Sequence, residues 1–519
     1  MSQYRGRALP PSHPIPPLLR SAPVVIRTPR VPQSTKRLTP PIELCTLRTV
    51  GIARSIVDAF EWGLPLFAIL EVAALCSLPS ILLRRRGQPR SALAWTLALI
   101  TLPLFSLLAW WLFGRTRLER KKKRRITLAQ RAKSQLEAAP SIQSNYLAQW
   151  LPSRAHQDSA FASEGNHVAL LCDGHEAFAV IEKELRAAKS SISIEFYIFR
   201  LDETGERIAT ILQERADEGV STRVLVDGFG SGSFISSLRR RFKDTAVQFS
   251  VFLPSRLSPL TAPRANFINH RKIIVIDGCV GFTGGMNIAN EYRDQWHDLM
   301  LSIRGPAVSA LNQILLEDWF FATRELVSDL ATRVAPAGKD LTGVIASGPD
   351  TEPWIHDSFF LALSQAKKSI QLVTPYFIPT EALRQVLRTA AGRGIEVELL
   401  LPADSDVRLV KWASRSFYRE LVGCGVKIRE YQGKMIHAKA MMIDDRLLSV
   451  GSANLDLRSM RLSFEVACFV DSPPLAQTFY RWLLSLREDS VLITKEDLET
   501  KPASTQLVES IASLFSPLL

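Results

Sequence analysis

Two short motifs in this chain each place an imidazole and an ammonium group two residues apart. Both motifs read His-x-Lys-x4-Asp, and they consist of His270, Lys272 and Asp277 and of His437, Lys439 and Asp444. Residues two apart in an extended strand project to the same face, so each histidine points with its lysine. If the two segments meet in one cleft, that cleft holds two imidazoles and two ammonium groups.

Such a set of side chains suits the transfer of a phosphodiester group. One imidazole can attack phosphorus and form a phosphohistidine, which divides a difficult displacement into two easier steps. The other can protonate the leaving alkoxide and then deprotonate the incoming alcohol. Lysine ammonium and asparagine amide groups can stabilise the charged phosphoryl oxygens, so the prediction includes no metal and no other cofactor.

The motifs belong to a longer internal repeat with a constant offset of 167 residues. The same offset relates four further pairs: Gly284 and Gly451, Gly285 and Ser452, Asn287 and Asn454, and Asp298 and Glu465. We predict that the two asparagines bind phosphoryl oxygens. The carboxylates of Asp298 and Glu465 are predicted to hold the imidazoles in the required tautomer. Asp277 and Asp444 are predicted to fix the turn after each motif strand.

Helices and strands alternate around each motif. The predicted helices are Phe178–Lys189 and Ile208–Glu218 in the first repeat and Ser358–Lys368 and Glu381–Gly392 in the second. This alternation predicts an α/β fold with a mainly parallel sheet covered on both faces, in which a pseudo-twofold axis relates the two repeats. An apolar stripe at the end of the chain predicts a helix that packs on the second repeat, with membrane contact as the alternative: Leu507, Val508, Ile511, Leu514, Phe515, Leu518 and Leu519.

The N-terminal part differs in composition from the rest of the chain. Residues 1–54 are rich in proline and basic residues and predict a disordered tail. Trp62–Leu83 and Ala92–Phe113 are apolar stretches of 22 residues, long enough to cross a bilayer, and predict a transmembrane helical hairpin. The alternative for the first stretch, which contains Glu71 and two prolines, is a re-entrant or interfacial arm. The predicted domains are the tail, the hairpin (55–118), a basic linker (119–150), the first repeat (151–332), a linker (333–350) and the second repeat with a C-terminal helix (351–519).

The net positive charge is confined to the N-terminal quarter of the 519 residues. The net charge is +13, but residues 1–126 carry +16 and residues 127–519 carry −3. A nucleic-acid enzyme usually carries its positive field on the catalytic body, so this distribution argues against nucleic acid as a partner. Eight basic residues follow the second apolar stretch and four lie between the stretches, which favours a cytoplasmic body. The six cysteines form no Cys-x-x-Cys pair, which argues against a structural zinc site.

On these motifs the sequence resembles the phospholipase D superfamily, and within it the bacterial cardiolipin synthases. The resemblance covers about residues 60–519 and rests on Ile194–Phe199, Asn269–Gly278, Thr283–Ile288, Thr374–Pro379 and Gly451–Ser459. It implies a multi-pass protein of the bacterial inner membrane whose partners are phospholipids. The implied reaction transfers a phosphatidyl group between two phosphatidylglycerol molecules and yields cardiolipin and glycerol. By analogy, His270 is expected to be the nucleophile and His437 the acid and base, with the opposite assignment still open.

The same motifs are compatible with other functions. A phospholipase D-type hydrolase would pass the phosphatidyl group to water, and a membrane-tethered nuclease would cleave a nucleic acid. A lipid-binding protein descended from such enzymes would typically have lost a motif histidine or lysine, and here all four are present. The acceptor lipid, phosphatidylglycerol or phosphatidylethanolamine, and the oligomeric state stay open at the level of sequence.

Overall fold

A computed structural model describes residues 68–69, 71–85, 89–110, 160–253, 267–327 and 334–516. The chain divides into two compact units, Met1–Ala73 and Ala74–Leu519. The predicted tail and the predicted basic linker lie outside the described residues.

Three helices represent the apolar N-terminal stretches: α1 (71–84), α2 (Pro89–Thr101) and α3 (Pro103–Ala109). The second stretch is interrupted at Leu102, because the ring of Pro103 pushes the preceding residue out of helical geometry. The hydroxyl of Ser106 spans the break by donating to the carbonyl of Ala98 at 2.7 Å. Within the part of the chain that the structure describes, no helix is both long enough and apolar enough to cross a membrane.

The described residues between 160 and 516 form an α/β body. Its strands are β1 (Ala160–Leu171), β2 (Ser191–Phe196), β3 (Ser221–Asp227), β4 (Gln248–Phe252), β5 (Ile273–Ile276), β6 (Val280–Gly284), β7 (Met300–Arg304), β8 (Asp340–Ser347), β9 (Ser369–Val373), β10 (Phe377–Ile378), β11 (Glu396–Pro402), β12 (Lys427–Tyr431), β13 (Ala440–Ile443), β14 (Leu447–Gly451), β15 (Leu455–Asp456), β16 (Glu465–Asp471) and β17 (Ser490–Leu492). Its helices are α4 (Gly174–Arg186), α5 (Glu203–Asp217), α6 (Ile235–Arg241), α7 (Ala307–Thr323), α8 (Trp354–Gln365), α9 (Glu381–Gly392), α10 (Arg408–Arg415), α11 (Tyr418–Gly423), α12 (Leu457–Arg461), α13 (Pro473–Glu488), α14 (Lys495–Glu499) and α15 (Ala503–Ser513).

The main sheet has the same strand order when it is followed from its middle towards either edge. The full order is β17-β12-β11-β9-β13-β14-β16-β8-β1-β7-β6-β5-β2-β3-β4. Strands β8 and β1 pair antiparallel at the middle. From there, β16, β14, β13, β9, β11 and β12 on one side correspond to β7, β6, β5, β2, β3 and β4 on the other. The two repeats are therefore related by a pseudo-twofold axis that passes through the β1–β8 pair.

The sheet corrects two predictions. Only β2–β3–β4 and β9–β11–β12 run parallel within it, and the other neighbouring strands are antiparallel, so the prediction of a mainly parallel sheet is wrong. A tight turn connects each motif strand, β5 or β13, to the next strand, β6 or β14. A tight turn makes the two strands antiparallel, whereas a helical crossover would make them parallel. The predicted linker at 333–350 is also wrong in part, because it contains β8, which pairs with β1 and β16.

Helix starts were less well predicted than helix positions. Helices α4, α5 and α8 each begin four or five residues before the predicted start. The carboxylates of Asp173 and Asp202 cap α4 and α5 by accepting backbone N–H groups of the first turn. The first turns of α4 and α5 consist of polar and small residues, which apolar periodicity does not mark, whereas α8 begins with the buried Trp354 and Ile355, so this explanation does not apply to it. Helix α9 begins and ends at the predicted residues, Glu381 and Gly392.

One hydrophobic core extends across both repeats. It includes Leu301 of β7 and Ile273 of β5 together with Val466 of β16 and Ala440 of β13. These strands follow or precede the motif segments, so the shared core fixes one motif relative to the other. Burial of such side chains contributes roughly 1.5–3 kcal/mol each.

Candidate active site

The two motif segments meet at the boundary between the repeats. The backbone N–H of His270 donates to the carbonyl of Phe464 at 2.9 Å, and that of His437 donates to the carbonyl of His297 at 2.7 Å. Isolated bridges pair Asn269 with Phe464 and His297 with Ile436. Each motif segment therefore lies beside the residue that directly precedes the other repeat's predicted carboxylate, Asp298 or Glu465.

In this arrangement, the histidine of each repeat contacts the carboxylate of the other repeat. His270 Nδ1 lies 3.1 Å from Glu465 Oε1, and His437 Nδ1 lies 2.7 Å from Asp298 Oδ2. All four side chains are buried. A carboxylate at Nδ1 favours the tautomer that carries hydrogen on Nδ1, which leaves the Nε2 lone pair available for chemistry.

The two motif lysines are oriented differently towards their histidines. Lys272 Nζ donates to the carbonyl of His270 at 2.6 Å and lies 5.5 Å from the ring centroid of Tyr197. Lys439 Nζ also donates to the carbonyl of its histidine, and it lies 2.8 Å from Nδ1 and 3.0 Å from Nε2 of His437. The His437 ring is therefore in direct contact with an ammonium group.

Burial governs the protonation of the two imidazoles. It lowers the pKa of His270 to about 4, although the nearby Glu465 carboxylate opposes the shift. Burial and then the Lys439 ammonium lower the pKa of His437 to about 4, against the opposing effect of Asp298. Both rings are therefore neutral at pH 7, the form in which an imidazole can act as a nucleophile or a base.

Burial also acts on the two motif lysines. It lowers the pKa of Lys439 to about 8, although the carboxylates of Asp298 and Glu465 favour the charged form. The pKa of Lys272 also lies well below its usual range, again because the side chain is buried. A lysine with a pKa near 8 can exchange a proton at physiological pH, which an exposed lysine does not do readily.

Aromatic rings flank both imidazoles. Tyr197 meets His270 edge-on, with centroids 4.8 Å apart. Tyr292 and Trp296 each lie 5.2 Å from the His437 ring. Tyr292 belongs to a short π-helix, Glu291–Gln295, a distortion that is frequent at functional sites. Sequence reasoning gave these aromatics no role, because Tyr292 and Trp296 have no counterpart at the repeat offset.

Comparison with known proteins places this fold and site in a family. The chain is 34% identical over 497 residues to a cardiolipin synthase of Geobacillus kaustophilus, covering 91% of this chain and 97% of the relative. It is 35% identical over 483 residues to a cardiolipin synthase of Halalkalibacterium halodurans, covering 88% and 95%. This chain belongs to the cardiolipin synthase family.

Family models agree with this membership. The cardiolipin synthase PLD-like domain matches residues 181–319 and 360–487, one stretch in each repeat, and a phospholipase D-nuclease N-terminal model matches residues 72–115. A phosphatidylserine synthase of Haemophilus influenzae shares the fold, with a TM-score of 0.53 over 70% of this chain and 99% of that protein at 17% identity.

In this cardiolipin synthase family member, the two predicted asparagines are both buried but differ in their contacts. The side-chain oxygen of Asn287 accepts the N–H of Ile198 at 3.1 Å, and its amide donates to the Tyr292 hydroxyl at 2.7 Å. Among the described residues, the side-chain oxygen of Asn454 has no hydrogen-bond partner. Asn287 thus positions Tyr292 beside His437, and the role of the asparagines in binding phosphoryl oxygens stays a prediction.

The repeat positions Gly285 and Ser452 differ because the two carboxylate side chains differ in length. A Cβ atom at Gly285 would lie 2.1 Å from Asp298 Oδ1, so glycine leaves the space that this carboxylate occupies. At the equivalent position, the Ser452 hydroxyl donates to Glu465. One cardiolipin synthase site therefore uses glycine to admit an aspartate and serine to hold a glutamate.

The motif aspartates lie at the far end of the motif strands from the histidines. Asp277 follows β5 and Asp444 follows β13, each at a positive φ, 51° and 54°. Each carboxylate accepts backbone N–H groups at the start of a neighbouring strand: Lys189, Ser190 and Ser191 for Asp277, and Lys367, Lys368 and Ser369 for Asp444. Although burial alone would raise the pKa of Asp277, these hydrogen bonds together lower it. The two aspartates, which the motif groups with the catalytic histidines and lysines, tie neighbouring strands together at the opposite end of the motif strands.

The first repeat contains a buried charged cluster beside its motif histidine that the equivalent positions of the second repeat do not reproduce. It consists of Glu195, Asn269, Arg271 and Asp318. The guanidinium of Arg271 pairs with Asp318 and donates to the carbonyl of Glu465 at 3.1 Å. Burial, and then the charge of Asp318, raise the pKa of Glu195 well above its usual range. The corresponding residues of the second repeat are apolar: Val373, Ile436 and Ala438.

Proposed function

We propose that this chain condenses two phosphatidylglycerol molecules to cardiolipin and glycerol through a phosphohistidine at His270. Membership of the cardiolipin synthase family makes the chain a phosphatidyltransferase. The observation that carries the mechanism is the pair of buried histidines, each held at Nδ1 by a carboxylate from the other repeat.

In the first step, Nε2 of His270 attacks the phosphorus of one phosphatidylglycerol. A P–N bond forms while the P–O bond to the head-group glycerol breaks, and the leaving oxygen takes a proton from the His437–Lys439 pair. The two lysine ammonium groups offset the charge on the phosphoryl oxygens. Free glycerol leaves, and the phosphatidyl group stays on His270.

In the second step, the glycerol hydroxyl of another phosphatidylglycerol is the acceptor. His437 removes the proton of this hydroxyl, the oxygen attacks phosphorus, and the P–N bond to His270 breaks. The product is cardiolipin, and both imidazoles return to their starting state.

The contacts of the lysines support this division of roles. Lys439 lies within 3.0 Å of both ring nitrogens of His437, so this lysine and histidine can share one proton and deliver it to a leaving group. Lys272 contacts the carbonyl of His270, which leaves the His270 ring as a neutral imidazole oriented by Glu465. A neutral ring suits the nucleophile, and a ring that shares a proton suits the acid.

We also propose that the N-terminal apolar stretches anchor the body at the cytoplasmic face of the bacterial inner membrane. The support is the length of Trp62–Leu83 and Ala92–Phe113 and the greater number of basic residues after the second stretch. Reporter fusions after residue 88 and after residue 150 test this topology. The proposal requires that only the fusion after residue 150 report a cytoplasmic location.

A product assay tests the function. Detergent-solubilised full-length protein is incubated with phosphatidylglycerol labelled in the head group and in the acyl chains, and phosphatidylethanolamine is offered as a competing acceptor. We expect cardiolipin and free glycerol. Phosphatidic acid without cardiolipin would show a hydrolase instead, and a product that contains phosphatidylethanolamine's head group would change the acceptor.

Histidine variants test the mechanism. His270→Ala and His437→Ala are each expected to abolish turnover, whereas His175→Ala, an exposed histidine on α4, is expected to retain it. Quenching in neutral detergent with substrate labelled at phosphorus separates the roles, because it denatures the protein without the acid that would hydrolyse a P–N bond. Labelled protein is expected from wild type and, formed more slowly because Lys439 alone must protonate the leaving oxygen, from His437→Ala but not from His270→Ala, and the reverse pattern would exchange the two histidines.

A further inference from the structure

The C-terminal helix α15 is packed with its polar side inwards. Its buried residues are Glu509, which pairs with Lys501 at 2.8 Å, and the small Ala512. The predicted apolar stripe faces outwards instead: Leu507, Val508, Ile511, Leu514 and Phe515 are all exposed, between 40% and 76%. The prediction that this stripe packs on the second repeat is therefore wrong for these five residues, and Leu518 and Leu519 lie outside the described residues.

The reason is the shape of the surface on which α15 rests. Ala512 lies against Val410 and Ala413 of α10, where only a small side chain allows the two helices to approach closely. The larger apolar residues of α15 are left on the opposite side. Glu509 is the one charged residue within 503–516, and it is buried, so the outward side carries no charge. We call this outward side, with the five exposed residues just named, the α15 face.

The α15 face is linked to the candidate active site through α10. Helix α10, on which α15 packs, begins directly after Asp406 and Val407. Asp406 accepts a hydrogen bond from the Tyr376 hydroxyl at 2.8 Å and is near enough to Lys439 to raise the pKa of that lysine, against the larger opposing effect of burial. Val407 is itself exposed. The loop that leads into α10 near Lys439 therefore presents the exposed Val407 between the exposed Asp406 and Arg408, and the α15 face packs on the same helix.

Helix α10 adds the two residue types that favour a lipid interface. The guanidinium of Arg408, which is exposed, lies 5.5 Å from the ring centroid of Trp412. Tryptophan side chains are enriched at the level of lipid head groups, and arginine pairs with their phosphates. The uncharged α15 face and the neighbouring arginine–tryptophan pair match the boundary between acyl chains and anionic head groups, and the exposed carboxylate of Asp404 beside them is paired with Lys411 at 3.0 Å.

We propose that the α15 face, together with Val407 and Arg408, docks into the surface of the bilayer that supplies the lipid substrate. The inference rests on the proposed function, because the acyl chains of phosphatidylglycerol stay in the bilayer and the cleft must therefore meet the head groups at the membrane surface. Docking through α15 holds the opening of the cleft at that level. A second copy of this chain is the alternative occupant, and the experiment distinguishes it.

Two substrate forms test the proposal with the full-length protein. The variant Leu507→Ser/Ile511→Ser/Phe515→Ser is assayed on phosphatidylglycerol in phosphatidylglycerol–phosphatidylcholine vesicles and on a short-chain, monomeric phosphatidylglycerol. We expect at least a tenfold loss of turnover on vesicles and less than a twofold change on the monomeric lipid. The matched control is Leu326→Ser/Leu484→Ser, which removes exposed leucines elsewhere on the body and is expected to change neither rate.

Photo-crosslinking identifies the occupant directly. A benzophenone amino acid at position 511 is expected to form adducts with labelled phosphatidylglycerol in vesicles, and the same group at position 484 is not. Adducts with a second copy or with another segment of this chain would overturn the proposal, and so would unchanged vesicle turnover in the triple variant. If wild type makes no cardiolipin from either lipid form, the proposed function fails. If wild type is active and the variant matches it on both forms, only the docking proposal fails.

Discussion

The Nδ1 atom of His270 lies 3.1 Å from Oε1 of Glu465, although the two residues are 195 positions apart and belong to different repeats. The equivalent contact between His437 and Asp298 crosses the boundary in the opposite direction. Neither repeat alone therefore contains a complete histidine–carboxylate pair. Within this chain, the active site forms only when the two repeats pack together.

The exchanged carboxylates are expected to position the histidines. Glu465→Gln and Asp298→Asn preserve the size of each side chain but remove the charge that holds hydrogen on Nδ1. We expect turnover to fall on the order of 100-fold or more in each variant, with KM for short-chain phosphatidylglycerol nearly unchanged. The exposed Glu496→Gln serves as the matched control. A change in KM alone would assign these carboxylates to substrate binding instead.

The pH dependence of kcat/KM is expected to follow the buried groups of the cleft. His270, with a pKa of about 4, loses its nucleophilic lone pair to a proton only below about pH 4, so activity falls on acidification through that value. Lys439, with a pKa of about 8, loses its proton above about pH 8, so activity also falls on the alkaline side. A rate profile with an acidic limb near pH 6.5 would contradict the first assignment. In an active Lys439→Arg variant, the alkaline limb of the profile is expected to move to higher pH.

Gly285 is expected to be required for its lack of a side chain. Gly285→Ala places a methyl group against the Asp298 carboxylate and pushes it away from His437. We expect a loss of turnover comparable to that of Asp298→Asn, and a thermal melt that shows a folded protein. Gly392→Ala is the matched control, because an added Cβ there meets nothing within 4 Å. Full activity of Gly285→Ala would show that the carboxylate can relocate without cost.

Loss of the motif aspartates is expected to reduce stability more than chemistry. Asp277→Asn or Asp444→Asn weakens three backbone hydrogen bonds, and we expect the free energy of unfolding to fall by about 1–3 kcal/mol. Turnover per folded molecule should stay within about threefold of wild type. Because the folded-state pKa of Asp277 is lowered, its stabilisation is present above pH about 3.9 and is lost on acidification below that value. Denaturant unfolding and turnover, measured on the same samples, separate the two effects.

The buried cluster of the first repeat offers a test by double substitution. Arg271→Met removes the positive charge that pairs with the buried Asp318 carboxylate, and we expect a loss of about 3–5 kcal/mol in unfolding free energy. Arg271→Met/Asp318→Leu removes both charges and should recover most of that loss. An equal loss in the single and double variants would show that the pair's packing, not its charge, stabilises the repeat.

The repeated motif allowed the main chemical groups to be identified from the sequence. A constant offset relates His270 to His437, Asn287 to Asn454 and Asp298 to Glu465, because two copies that serve one site keep their functional side chains in register. Alternating helices and strands likewise indicated an α/β fold, since hydrophobic period and turn residues are local properties. The position of α9 followed from the same local pattern.

Tertiary structure alone decided which groups meet. The exchange of Asp298 and Glu465 depends on the packing of strands from opposite repeats, which no local pattern records. The same holds for the aromatic contacts of Tyr292 and Trp296 with His437, because these residues have no repeat partner. The outward turn of α15 depends on the space that α10 leaves for Ala512, and hydrophobic periodicity identifies an apolar side without showing what covers it.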